Sequence, residues 1–166
     1  MNGSPSLHDT EQWSDWLLRG RFSVDPVCKC VLRADLQRDA DRLLDLAQLR
    51  PGLTMLDVGS GDGLLALRAI ERIGPSLKVF VTDVSTSLLR HAGELAMQAE
   101  VADQCVFLRY PAESLSTIAD ASVDVVTARA VFGYLPDKPA VLREFMRVLK
   151  PGGRISRATR LSKRVP

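Results

Sequence analysis

Three glycines at alternate positions, Gly59, Gly61 and Gly63, separate a short apolar run from a longer one, and an aspartate, Asp83, follows 20 residues after the last of them. Glycine accepts positive φ and, lacking Cβ, lets a ligand lie against the backbone, while the amides opening the next helix point outward as donors. A carboxylate brought beside such a loop can accept hydrogen bonds from the hydroxyls of a ribose. The plainer alternatives are a glycine-rich turn without a ligand and, since Ser85 and Ser87 follow it, a helix-capping role for Asp83. Loop and acid at this interval carry more weight together than either does alone.

Other chemistry-bearing residues point to less. The pairs Asp35 with Asp39 and Asp41 with Asp45 fall on a stretch of mixed charge, where the expected role is a solvated helix face rather than catalysis. Cys28, Cys30 and Cys105 are odd in number, and Cys28-Lys29-Cys30 with His8 and His91 has no recognised zinc spacing, so free thiols and no metal are expected. Trp13 and Trp16 read first as packing anchors of a short helix and second as part of a lid over a small-molecule pocket.

The elements that must hold these residues alternate. Helical spacing is visible over 7–18 and, after Asp25-Pro26, through Leu32, Leu36, Ala40, Leu43, Leu44 and Ala47, up to the stop at Arg50-Pro51-Gly52. A strand over 54–58 leads into the glycine turn, and the block 64–73 reads as a helix apolar on nearly all sides. Strand 78–82 ends at Asp83; a helix from 86 to about 101, strand 106–109, a loosely helical piece ending near Ala121 and a buried strand over 123–128 follow. A helix entered near Pro139 runs to Lys150, Pro151-Gly152-Gly153 closes it, and a fifth strand begins at Arg154. The glycine loop and Asp83 then meet at the carboxyl edge of a parallel sheet.

Composition sets bounds rather than a function. The 166 residues suffice for one domain, and 46% hydrophobic with 25% charged residues is ordinary for a globular protein. A net charge of +2 gives no reason to expect a nucleic-acid or membrane partner. Residues 1–12 lack the apolar core of a signal peptide and no stretch has the length of a membrane span, so a cytoplasmic location is expected.

Five separated segments resemble one family. Leu56-Asp57-Val58-Gly59-Ser60-Gly61-Asp62-Gly63, Val81-Thr82-Asp83-Val84-Ser85, Pro111-Ala112-Glu113, Val123-Asp124-Val125-Val126 and the run from Leu142 to Gly153 resemble, in order and spacing, the class I S-adenosylmethionine-dependent methyltransferases. The resemblance implies a Rossmann-like, doubly wound parallel sheet in three α/β/α layers, with a cofactor domain (51–155) after an N-terminal helical segment (1–50), and the basic residues 156–166 depart from it as a tail expected to be disordered. It implies that Gly59, Gly61 and Gly63 back the methionyl end of S-adenosyl-L-methionine, that Asp57 helps hold its ammonium, and that Asp83 takes the ribose hydroxyls. Ala112 would meet the adenine edge through its amide, in a slot lined near Val84 and Leu115. The acid that many relatives use for the adenine amine is replaced by Pro111, so that contact falls to Glu113 or to a backbone carbonyl. Arg129 falls where relatives line the reacting methyl group.

In-line methyl transfer needs a base only when the nucleophile must lose a proton, and no base stands out. Arg129 and Tyr134 qualify by position alone, with packing of the loop after strand four the better reading. The Asn/Asp-Pro-Pro-Tyr motif of nucleic-acid amino methyltransferases is absent where Ala128-Arg129-Ala130-Val131 stands, so the expected acceptor is a small molecule, or else a protein. After Ile155 the family pattern of seven strands lapses into basic, non-strand-like text, read first as a foreign or truncated tail and second as an arm for anionic partners, which leaves a sheet edge uncovered and marginal stability or self-association expected. Competing readings are a non-catalytic cofactor-binding domain and, less well matched by the glycine spacing, a nicotinamide dehydrogenase.

Overall fold

The computed structural model describes residues 14–20 and 26–158. After a π-helical turn, Trp16–Gly20, the elements are α1 (Pro26–Ala47), β1 (Thr54–Val58), α2 (Leu64–Ile73), β2 (Lys78–Asp83), α3 (Thr86–Gln98), β3 (Cys105–Arg109), β4 (Val123–Arg129), α4 (Lys138–Val148) and β5 (Leu149–Ala158). The sheet is wholly parallel, with strand order β3-β2-β1-β4-β5. Strand order therefore reverses between β1 and β4, and in such sheets the crevice at the carboxyl ends of the two diverging strands is where ligands bind. Trp13 and the last part of the expected tail, 159–166, lie outside the described residues.

Helices cover both faces. Met55, Val79 and Val81 pack with Ala40, Leu43 and Leu44 of α1 and Leu65, Ala66, Ala69 and Ile70 of α2. Leu56, Val58 and Val126 pack on the other face with Val141, Phe145 and Val148 of α4. Strand side chains alternate between the faces, so β1 can feed two cores from consecutive residues.

Four expectations change. The α2 block is not apolar all round: one side is buried, and Arg68, Glu71 and Arg72 occupy the other. Asp41 and Asp45 are not a merely solvated face, since Arg68 Nε and Nη2 donate to Asp41 at 2.9 and 3.1 Å and Arg72 Nη2 donates to Asp45 at 2.5 Å, tying α1 to α2. The stretch 111–121 holds turns rather than a loose helix, because α4 side chains satisfy its backbone: Arg147 donates to the carbonyls of Leu115 and Ile118 at 3.0 and 2.9 Å, and Glu144 accepts from Leu115 N at 2.8 Å.

The fourth change concerns the end of the sheet. Pro151-Gly152-Gly153 does not separate helix from strand; it forms a bulge within β5, whose register passes from Val123↔Leu149 to Val125↔Arg154, with Gly152 at φ 80°. Nor does the non-strand tail start at 156. Ser156, Arg157 and Ala158 pair with Thr127, Ala128 and Arg129, and the buried Ser156 hydroxyl donates to the Leu43 carbonyl at 3.0 Å. The alternation Ile155, Ser156, Arg157, Ala158 suits an edge strand, with arginines in place of apolar residues on the outer positions.

Candidate functional site

The site grows from the end of β1. Asp57 is 1% exposed, and its two carboxylate oxygens accept one hydroxyl each: Thr127 Oγ1 donates to Oδ1 at 2.8 Å and Ser60 Oγ to Oδ2 at 2.6 Å. Thr127 is the β4 residue in register with Asp57, so the sheet itself aligns this pair. Burial pushes the Asp57 carboxyl up to about 6, against the pull of the Ser60 and Thr127 hydroxyls and of the nearby Arg129 charge.

The glycine turn leaves β1 with φ of 63°, 59° and 78° at Gly59, Gly61 and Gly63, a conformation that side chains resist. Close packing adds a second reason at two of them. A Cβ on Gly59 would lie 2.5 Å from Val131 Cγ2, and one on Gly63 would lie 2.8 Å from Ala92 Cβ. Only Gly61 has ordinary room above it, where Leu17 Cδ1 stands 3.7 Å from the position a Cβ would take. Thus of the three only Gly61 leaves ordinary contact distance at that position, and Leu17 occupies it.

Asp83, 8% exposed, binds the turn to β2. Its Oδ2 accepts from Gly61 N and its Oδ1 from Ser85 N, both at 2.9 Å, while Ser60 N donates to the Thr82 carbonyl at 2.9 Å. Burial raises the Asp83 carboxyl above its ordinary range, opposed by the amides of Ser85, Gly61 and Val84. The capping role belongs to Ser85, whose Oγ accepts from Leu88 N at 3.1 Å. Asp83 is therefore a loop-organising acid with lone pairs to spare, not a helix cap.

The third part comes from β3. Tyr110 N donates to the Asp83 carbonyl at 3.2 Å, which brings Pro111, Ala112 and Glu113 to the same edge. Pro111 to Ser114 form a turn closed by Ser114 N on the Pro111 carbonyl at 3.1 Å. Ala112 is 6% exposed and Val84 45%, whereas Leu115, at 0%, belongs to the core and not to an open slot. Glu113 is half-buried, and its Oε1 is buried without a hydrogen-bond partner among the described residues, an arrangement that normally demands a reason.

Arg129 closes β4 beside Asp57, half-buried, and the chain turns at Ala130 with φ 56°. Tyr134 sits in the 3-10 turn Phe132–Tyr134, 46% exposed, while Phe132 joins the core. The structure thus gathers Asp57, the three glycines, Asp83 and Arg129 at the switch point, with 110–113 at one flank and Tyr134 on the loop beyond.

Several participants were missed by sequence reasoning. Thr127 gave a signal, a polar residue in an otherwise apolar strand. Ser14 and Leu17 gave none: the buried hydroxyls of Ser14 and Ser85 lie 2.6 Å apart, anchoring the N-terminal turn beside the acid while Leu17 lies over Gly61. Of the two tryptophan readings the structure speaks only to Trp16, which is half-buried in that turn. No helix among the described residues is long and apolar enough to cross a membrane.

Comparison with known proteins accords with this arrangement. Residues 56–156 match the methyltransferase domain family, and the chain belongs to the class I S-adenosylmethionine-dependent methyltransferases. It is similar to nocamycin O-methyltransferase of Saccharothrix syringae, with 39% identity over 119 residues that cover 70% of this chain and 41% of that protein. Similarity to 27-O-demethylrifamycin SV methyltransferase of Amycolatopsis mediterranei (strain S699) is 38% over 146 residues, covering 87% and 51% of the two. Among solved structures, a SAM dependent methyltransferase from Aquifex aeolicus superposes with TM-score 0.62 at 26% identity, covering 68% of this chain and 59% of that one. The chain spans about half the length, or less, of these two curated relatives.

Proposed function

We propose that this chain binds S-adenosyl-L-methionine at the β1/β4 switch point and transfers its methyl group to a small-molecule acceptor. The observation that carries the reading is the joint placement of two buried acids and one half-buried arginine around a positive-φ glycine turn. The donor set matches the cofactor group by group. Asp57 supplies negative charge for an ammonium, Asp83 has lone pairs for two ribose hydroxyls, and the Ala112 amide suits an adenine edge. The orphaned Oε1 of Glu113 is an acceptor for the adenine amine that Pro111 cannot serve. The cofactor unit on this reading is 51–155 extended through β5 to Ala158, with Leu17 of the turn Trp16–Gly20 against Gly61.

The cofactor would supply a methyl carbon activated by sulfonium. The chain's own task is to position it: the turn fixes the methionyl end and Asp83 fixes the ribose, with Val131 and Leu17 packed against Gly59 and Gly61. Small-molecule acceptors are supported by the names of both relatives, whose acceptor atoms are oxygens. A second reading, binding without turnover, is favoured by the absence of a base among these residues, since the acids are committed to the cofactor and Tyr134 stands exposed on the loop. Among the described residues β5 is an edge strand, and self-association through that edge is part of the proposal, checked by sedimentation.

Calorimetry with S-adenosylhomocysteine on the folded chain is the test. Binding is expected; its absence refutes both readings, and binding with no methylation of phenolic or hydroxylated acceptors favours the second.

A further inference from the structure

We infer that self-association runs head to tail, the β5 edge of one copy adding to the β3 edge of the next. This deepens the self-association reading and rests on it, and it is independent of the cofactor. Among the described residues β3 and β5 are the two edges of the sheet, and the segments that carry them have opposite charge. From His91 to Glu113, a stretch that contains β3, stand four acids and one Lys or Arg. From Phe145 to Pro166, a stretch that contains β5, stand seven Lys or Arg and no acid. Arg147 and Lys150 are engaged within the chain by Glu144, Asp120 and Asp124. Arg154 and Arg157 are exposed along the β5 edge, and Glu94, Glu100 and Asp103 are exposed ahead of β3. Two β5 edges brought together would oppose like charges, whereas a β5 edge against a β3 edge opposes unlike ones.

Length, direction and apolar surface fit the same contact. Beyond its bulge β5 pairs with β4 over the five residues 154–158, and β3 is five residues long, Cys105–Arg109. Every strand is parallel, so a second copy displaced sideways in the plane of the sheet sets its β3 parallel to the β5 of the first, with the same faces up. Val106, in the second place of β3, is 48% exposed and in register with Phe80, on the α4 side of the sheet. Leu142 and Met146, one turn apart on α4, are 42% and 67% exposed. Met146 lines a cleft with Leu149 and Pro151-Gly152-Gly153, which sets this apolar flank beside β5. The contact therefore brings Val106 of one copy towards the α4 flank of the next, and the outward backbone groups of each edge to the other. Because the two surfaces differ, it repeats from copy to copy and does not close on two.

Sedimentation of the full chain at rising concentration reads the contact. The native chain is expected to give a weight-average mass that climbs past that of a dimer, with association weakened about tenfold or more when ionic strength is raised to about 0.5 M. Arg154→Glu with Arg157→Glu, and separately Glu100→Lys with Asp103→Lys, are each expected to weaken association about tenfold or more. An equimolar mixture of the two variants is expected to recover it, since each edge then meets an opposite charge on the other chain. Circular dichroism identifies the folded variants, and the second pair alters only exposed residues outside the strands. A native mass that stops at the dimer overturns the inference. So does a folded Glu100→Lys, Asp103→Lys chain that associates like the native one, or a mixture of folded variants that stays dissociated. Each of these outcomes leaves self-association itself standing. A native chain that stays monomeric throughout refutes the self-association reading and the inference together, with the cofactor reading untouched.

Discussion

The molecule holds two sets of inward carboxylates that obey opposite rules. Asp41, Asp124 and Glu144 each face a cation: Arg68 and Arg72, Lys150, and Arg147 respectively. Asp41 is held low chiefly by its bond from Arg68 and Glu144 chiefly by its bond from Arg147; for Asp124 burial pushes upward most strongly, yet Lys150 and the Thr54 amide outweigh it. Asp57 and Asp83 have only hydroxyls and amides, lie deeper, and are raised by burial. The first set joins α1 to α2, α4 to the 111–121 turns, and β4 to the β5 bulge. The second costs stability in the ligand-free chain, an expense that a bound cation or diol would offset. Among these five carboxylates the two without a bonded cation lie at the proposed site, and the three with one tie elements of the scaffold together.

The sharpest way to break that division is Asp83→Ala. On the site reading S-adenosylhomocysteine affinity falls more than about tenfold while the melting temperature moves little, because the lost bonds from Gly61 and Ser85 are balanced by relief of a buried acid. Unfolding of the variant with no measurable native domain would place Asp83 in the scaffold instead. The scaffold counterpart is Arg147→Met, which strands the carbonyls of Leu115 and Ile118 and the Glu144 carboxylate. A loss of about 2–4 kcal/mol in urea unfolding is expected, with ligand affinity per folded molecule unchanged.

Asp57→Asn sharpens the comparison through pH. Burial pushes the folded carboxyl up to about 6, above the ordinary value near 3.8, so across that window the folded chain binds more protons than the unfolded one and stability falls as pH rises. The variant is therefore expected to gain on the native chain between pH 4 and pH 7, by up to about 3 kcal/mol, while binding S-adenosylhomocysteine more weakly at pH 7. The scaffold acids work in the other direction: their contribution is present above the ordinary carboxylate range and is lost on acidification. A difference between variant and native chain that is flat with pH would remove Asp57 from the unpaired set.

How far each set was legible in the sequence follows from how local its determinants are. Asp57, the glycines and Asp83 lie within one strand-turn-helix-strand unit, whose periodicity dictates where its strands end. Arg129 was placed by the end of a buried strand, and Thr127 showed as a polar interruption in it. The partners of Asp41 and Asp45 were not legible, because Arg68 and Arg72 are 27 residues away on another helix and only packing brings them together. The turns of 111–121 are pinned from up to 32 residues away by Arg147, and a propensity argument sees no such bond. Leu17 over Gly61 depends likewise on a contact across the chain. The end of β5 was hidden by composition: arginines masked an alternation that the Leu43 carbonyl and the Ser156 hydroxyl complete.

The smallest effect tests the paired set where it is weakest. Asp41 is about one-third exposed, its side chain at 33%, and it receives Arg68 and Arg72 together. Solvent screens such a pair, so Asp41→Asn should cost only about 0.5–1 kcal/mol, less in high salt, with no change in ligand binding. The value of the measurement lies in its salt dependence. An Asp41→Asn loss that shrinks as ionic strength rises identifies a Coulombic clamp between α1 and α2, whereas a salt-independent loss identifies hydrogen-bond geometry as the source. For Asp57, which has no cation within bonding distance, the variant's gain at pH 7 should be nearly insensitive to salt, since burial and not a screened ion pair sets its cost.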